Sequence, residues 1–215
     1  MDADASVRLV AEPARFVGRG GLKLDAAFDA FGIDVSGRKA IDVGASTGGF
    51  TDCLLQRGAA SVVALDVGYG QLDWGLRQRG EVVVVERTNF RHADLAPLGA
   101  PFDVVVADLS FISLGTVAAQ LAAAGAEGTD YVLLVKPQFE VGKGQVGKGG
   151  IVRDPGLHRD ALISVAEALA AAGLGALGVV PSPVTGAKGN REFLLWARPG
   201  PPTIDAERID EVVKP

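Results

Sequence analysis

Three sets of residues in this 215-residue chain have types and spacings that could do chemistry. The first is Gly44-Ala45-Ser46-Thr47-Gly48, extended by Gly49 and set directly after the apolar run KAIDV. It satisfies G-x-S-x-G, the elbow that presents a nucleophilic serine above a sheet. It also suits the glycine-rich turn between a strand and a helix where Rossmann-like folds hold a nucleotide cofactor. The plainest alternative is a tight turn that binds nothing. The second set is a pair of acids, Asp66 and Asp108, which end the apolar runs SVVALD and DVVVAD. The third is Lys136, which ends DYVLLVK and precedes the long Gly/Lys segment KPQFEVGKGQVGKGGIVRDP.

The elements that must position these residues alternate along the chain. A helix is expected over 20–32, where Leu22, Leu24, Ala27, Phe28 and Phe31 form an apolar stripe. Strands are expected at 39–43, 61–66, 81–86, 102–107, 130–136, 174–180 and 192–197. Helices are expected at 49–58, 71–79, 114–125 and 156–172, the last opened by Asp154-Pro155. Continuous Val/Ile/Leu strands separated by helices imply a parallel sheet covered on both faces. Residues 1–15 read as an arm, and residues 199–215, which open with a Pro-rich run, read as a tail.

Context then separates the three readings of the glycine turn. An elbow serine follows several earlier strands, because an upstream loop supplies half of its oxyanion hole. Ser46 instead follows the first strand, and the only histidines available to a triad are His92 and His158. The dinucleotide fingerprint G-x-G-x-x-G is missed, since Ala45 and Ser46 follow Gly44. The P-loop spacing at 142–148 fails too, because Gly149 stands where a Mg²⁺-binding Ser or Thr belongs. S-adenosylmethionine makes different demands. Its carboxylate needs backbone N–H groups at a glycine turn, its ribose an acid ending the second strand, and its ammonium a polar group near the fourth. Gly44–Gly49, Asp66 and Asp108 meet all three, at the carboxyl ends of strands where open α/β sheets bind ligands. Any one strand-end acid is explained by a helix cap; two acids and a glycine turn, all at the right strand ends, favour the cofactor.

Composition narrows the class further. The single cysteine, Cys53, excludes an internal disulfide framework and points to a reducing, cytoplasmic setting. With two histidines a His/Cys metal site is not expected, and no apolar run reaches membrane-spanning length. The net charge of −5 argues against gripping nucleic acid by bulk charge. It leaves room for local patches: Arg15, Arg19 and Lys23 near the start, and Lys136, Lys143 and Lys148 later.

The motifs FVGRGGLKL, DVGASTGGFTD, DVGYGQL, ERTN, VVADLSFISL, VKPQFEVGKGQVGKGGIV and GNREFLLW together resemble the TlyA (hemolysin A) family of ribosomal RNA 2′-O-methyltransferases, itself similar to the FtsJ type. The resemblance covers about residues 16–198. It implies a class I S-adenosylmethionine-dependent methyltransferase fold with a mostly parallel seven-stranded sheet. It also implies a catalytic set of Lys23, Asp108, Lys136 and Glu192, all present here. The cofactor set nominated by motif and resemblance is Asp42, Gly44, Ala45, Ser46, Gly48, Gly49, Phe50, Asp66, Asn89 and Asp108. Arg15, Arg19, Lys143 and Lys148 are nominated for RNA. The implied partner is ribosomal RNA or a ribosomal subunit, with cytidine the expected nucleotide and no metal. Family members usually carry an S4-type RNA-binding domain ahead of the catalytic domain, so one is expected in a full-length protein. The family name also raises a membrane-lytic alternative, and a cofactor-binding module without catalysis is a third.

Overall fold

The computed structural model describes residues 14–214. Its strands are β1 (Lys39–Val43), β2 (Ser61–Leu65), β3 (Val82–Val85), β4 (Phe102–Ala107), β5 (Gly125–Val135), β6 (Leu174–Pro181) and β7 (Phe193–Pro199). They form one sheet in the order β3-β2-β1-β4-β5-β7-β6. The pairings from β3 through β5 are parallel, and β7 runs antiparallel to both β5 and β6. Chain order reverses beside β1, which lies between β2 and β4, and such a switch point opens a crevice at the strands' carboxyl ends.

The helices are α1 (Gly20–Phe31), α2 (Gly49–Gln56), α3 (Trp74–Arg77), α4 (Leu114–Ala124), α5 (Pro137–Glu140), α6 (Pro155–Ala171) and α7 (Ala206–Val213). They cover the two faces separately. Ile41 and Val43 of β1 pack into the cluster with α4, α6 and α7. Ala40 faces the other side, into the cluster with α1 and α2, as the two-residue period of a strand requires. Cys53 is fully buried in that second cluster, a packing residue.

The expected elements are present with three differences. The stretch read as a tail contains α7, whose Ile209, Val212 and Val213 are buried against the core. Its start is capped by Asp205, which accepts from the Arg208 N–H, and Arg191 donates to the carbonyls of Val212 and Val213 at its end. The apolar spacing was visible, but the preceding Pro-rich run disguised it. Second, the helix expected over 71–79 is one turn, because the Asp73 side chain caps it at Gly75 and Leu76. Third, β5 begins five residues early, with an irregularity in its pairing to β4.

At the bottom edge of the sheet, Asp130 is buried and receives Arg38 at 2.7 Å, Arg198 at 2.6 Å and the Trp196 indole N–H at 2.8 Å. These bonds join the residue before β1 and the later half of β7 to β5. Burial alone would raise the carboxyl pKa, but the three donors outweigh it and hold it below the ordinary value. The resulting stabilisation is complete above the unfolded pKa of about 3.9 and is lost as pH falls through the lower folded value. Asp130→Asn should cost about 2–3 kcal/mol, at the low side for a broken buried pair because both arginines reach solvent. Urea denaturation at pH 7 and pH 3 checks this, with a smaller difference expected at pH 3.

Candidate active site

The turn after β1 is built by backbone geometry. Gly44 has φ +86, and its N–H and that of Ala45 both donate to the Leu65 carbonyl at the end of β2. A Cβ at Gly44 would lie 2.6 Å from the Asp108 carbonyl oxygen, so only glycine lets the β1 and β4 ends close together. Ser46, at φ +49, is a non-glycine residue in the left-handed region. It is held there by its N–H, which donates to Asp66 Oδ2 at 2.8 Å. The other Asp66 oxygen accepts from Gly68 N–H at 2.6 Å. Asp66 thus ties the turns after β1 and β2 together. Carboxylate lone pairs remain on it for a further donor.

Two hollows share Gly44. One, of about 90 Å³, is lined by Gly20, Ala45, Ser46, Thr47, Gly49, Phe50 and Asp108. The other, of about 180 Å³, has mostly apolar walls from Leu65, Val67, Phe90, Leu109, Ile112 and Val117, with Asp66 and Asn89 at its polar side. Asn89 caps the short turn at Phe90–His92 by accepting from the Arg91 N–H. Gly48 and Phe50 are buried beneath the turn. A small polar hollow joined to an apolar one with a carboxylate at its wall fits an amino-acid group linked to a nucleoside.

Asp42 takes a different position from the other nominated residues. It is fully buried inside β1 and lines neither hollow. One oxygen accepts from the Thr51 hydroxyl at 2.6 Å and the other has no hydrogen-bond partner. Burial pushes its pKa up to about 7; Thr51 opposes this, while the charges of Asp108 and Asp66 add to it. Asp42 therefore acts on the turn through α2 rather than by touching a ligand directly.

The four charged residues expected to act together come from neighbouring strand ends and one helix. Val135 pairs with Phe193 across β5 and β7, so Lys136 and Glu192 stand just beyond the same rung. Asp108 follows β4, the other neighbour of β5. Lys23 on α1 reaches Glu192 at 2.5 Å, and Lys136 reaches Asp108 at 2.5 Å and Ser110 Oγ at 2.9 Å. Helix α1 is brought in by close backbone contact. A Cβ on Gly49 would lie 3.0 Å from the Gly21 nitrogen and 3.2 Å from the Gly18 oxygen. Each lysine is nearly buried and each has its own carboxylate, which is what desolvated ammonium groups require.

Sequence reasoning missed the surroundings of Lys136. Ser110 bonds it, and the Phe139 ring lies 6.0 Å from its ammonium. Phe111 is 91% exposed, has φ +66, and its ring centroid is 5.2 Å from that of Phe139. Glu140 receives the Ser113 hydroxyl and the Leu114 N–H, fixing the segment that carries Ser110 and Phe111. Burial raises the Glu140 pKa, partly offset by those two donors.

The residues nominated for RNA separate. Arg15 is a folding contact here: it forks onto Asp25 at 2.5 and 3.1 Å, joining a network with Arg57. Arg19 is exposed at the start of α1, and Lys148 is exposed on the long loop. The Lys143 side chain, like arm residues 1–13, lies outside the described residues. The elbow reading of Ser46 finds no support, since neither histidine lines its hollow and His158 Nε2 is engaged with the Val152 carbonyl. Among the described residues no cluster of three or more His, Cys, Asp or Glu could hold a metal, and no helix is long and apolar enough to cross a membrane.

The family model of FtsJ-like methyltransferases matches residues 16–199, the whole span that carries this site. The chain belongs to the FtsJ-like methyltransferase family. The chain is 54% identical over 183 residues to the Mycobacterium tuberculosis 16S/23S rRNA (cytidine-2′-O)-methyltransferase TlyA, covering 85% of this chain and 68% of the relative. It is 41% identical to Hemolysin A of Brachyspira hyodysenteriae, covering 86% of this chain and 78% of that one. A solved structure described as a candidate hemolysin, from Lactococcus lactis, superposes with a TM-score of 0.88 at 40% identity, covering 94% of this chain and 98% of the other. An S-adenosylmethionine-dependent methyltransferase from Mesorhizobium loti shares the fold at a TM-score of 0.59 and 16% identity, over 80% of this chain and 96% of that one.

Two measurements test how this FtsJ-like site is built. Calorimetry with S-adenosylhomocysteine should show Asp66→Ala weakening binding by about 1–3 kcal/mol, the range for hydrogen bonds to a charged group. Unchanged affinity would exclude Asp66 from the nucleoside hollow. Asp42 gives a pH signature, because its carboxyl is raised when folded. Its contribution favours folding least at high pH, and stability should decline as pH rises from about 4 to about 7. Asp42→Asn should flatten that decline in urea titrations across the same interval. A variant that keeps the wild-type slope would assign it to another group.

Proposed function

We propose that this chain transfers a methyl group from S-adenosylmethionine to a ribose 2′-hydroxyl of ribosomal RNA, with cytidine the modified nucleotide. The observation that carries the reading is the pairing of Lys136 with Asp108 and Lys23 with Glu192 beside the hollow of the glycine turn. The methyl donor's shape fits the two joined hollows, its amino-acid end toward Ser46 and Thr47 and its nucleoside toward Asp66 and Asn89. When bound, S-adenosylmethionine supplies an electrophilic methyl on a sulfonium.

The chain's own residues then have separate tasks. In its neutral amine form Lys136 Nζ meets the 2′-oxygen and accepts the hydroxyl proton as that oxygen takes the methyl and the sulfonium becomes a thioether. Asp108 and Ser110 fix the position of that nitrogen, while Lys23, held by Glu192, adds positive charge beside the hydroxyl. Phe111 offers an exposed ring on which an unpaired base can stack. The name of the TlyA relative supports ribosomal RNA as the substrate. The name of the Brachyspira relative instead suggests lysis, so vesicle leakage is the companion assay, and none is expected.

Incubating ribosomal subunits with the chain and mapping ribose methylation tests the reading directly. A group that acts only on the hydroxyl stabilises the transition state and not the bound cofactor. Lys136→Ala should therefore lose about 10²-fold or more in methyl transfer, as general bases do, with cofactor affinity nearly unchanged. Near-normal turnover in that variant would mean the catalytic set is misassigned.

A further inference from the structure

The segment between α5 and α6 is a long loop whose Gly144, Gln145, Gly147, Lys148 and Gly149 are exposed. Its near half is folded on itself by turns, with Gln145 N–H donating to the Gly142 carbonyl and Gly150 N–H to the Gly147 carbonyl. At its far end it is tied to the body by two buried side chains. Asn190 Oδ1 accepts from the Val152 N–H at 3.0 Å, and its Nδ2 donates to the Gly150 carbonyl at 2.9 Å. The amide thus supplies what the edge of a strand would supply. His158, on the first turn of α6, places Nε2 3.0 Å from the Val152 carbonyl. The carbonyl can only accept, so Nε2 is the donating nitrogen, and Nδ1 is buried without a partner. The ring stands edge-on to Phe193, the first residue of β7.

Asn190 is also two residues from Glu192 on the approach to β7. Its own carbonyl accepts from Gly186 N–H, in the turn that runs against Glu192. That turn carries Lys188, whose Nζ would lie 3.8 Å from a Cβ placed on Gly150. The amide therefore joins two glycine-rich loops that display Lys148 and Lys188 to solvent, next to the strand end that carries Glu192. A buried amide with both ends satisfied by an exposed loop adds little to the core. It removes freedom from the loop.

We propose that Asn190, assisted by His158, is a positioning residue that mounts this loop beside the ribose site. There Lys148 and Lys188 meet backbone phosphates of the RNA substrate. The inference rests on the RNA methyltransferase reading, and it adds the device that holds the substrate rather than the group that reacts. Phosphate contacts fix register without reading sequence, so the effect belongs in substrate affinity.

The test compares Asn190→Asp with wild type in the full chain. Asp keeps an acceptor for Val152 N–H but faces the Gly150 carbonyl with an oxygen. The KM for ribosomal subunits should rise about tenfold, in line with one lost buried hydrogen bond, while affinity for S-adenosylhomocysteine stays within about twofold. Tryptic cleavage after Lys148 should accelerate by a similar factor. The surface double variant Lys148→Ala/Lys188→Ala touches no buried group and should reproduce the rise in KM. A general packing role predicts instead that cofactor affinity and melting temperature fall together, with no preferential change at Lys148. That pattern, or an unchanged KM in the double variant, overturns the proposal. Should the wild-type chain methylate no ribosomal RNA, the function reading fails, and the tryptic rate at Lys148 alone decides whether Asn190 mounts the loop.

Discussion

Backbone hydrogen bonding in a buried parallel sheet is the constraint from which the rest follows. Strands covered by helices on both faces must be apolar along their length, so charge can gather only where they end. β1, β2, β4 and residues 131–135 of β5 obey this almost completely, and their carboxyl ends carry Gly44, Asp66, Asp108 and Lys136. Asp42 is the exception inside β1. Burial pushes its pKa up to about 7 and one of its oxygens has no partner, as expected for a carboxyl placed inside such a strand.

Reversal of one strand completes the arrangement. Because β7 runs antiparallel to β5, its beginning lies at the edge where β5 ends, and Glu192 arrives beside Lys136. A parallel β7 would have placed its first residue at the opposite edge of the sheet. Helix α1 then contributes Lys23 from outside the sheet, admitted by glycine backbones at Gly18, Gly21 and Gly49 that leave no room for side chains. The two lysines are consequently fixed by separate elements, each against its own carboxylate. Such preorganisation lets charge act on a weak nucleophile without reorganising during reaction.

Stability and function use the same chemistry at opposite edges. Asp130 gathers Arg38, Arg198 and Trp196 midway along β5, holding β1, β5 and β7 in register. The groups proposed for catalysis gather at the opposite edge, where β4 and β5 end and β7 begins. Arg191 and Glu192, adjacent in sequence, divide this work, one holding α7 and the other Lys23. α7 is in this way connected to the strand that supplies Glu192.

The sequence by itself determined the alternation of strands and helices, the glycine turn after β1 and the acids at strand ends, because period and residue type are local properties. The identities of Lys23, Asp108, Lys136 and Glu192 were legible through the resemblance of their motifs, and the tertiary structure brings them together in pairs. Other assignments depended on partners far away in the chain. Arg15 looks like a free cation in sequence, and only the fold shows Asp25 beneath it. The α7 pattern was concealed by prolines, and only packing against the core shows that Ile209, Val212 and Val213 are inward. Asp130 gives no local sign of its role, since its donors come from 92, 66 and 68 residues away along the chain. Local spacing encodes which way a residue points; what it meets there is decided by the closing of the sheet.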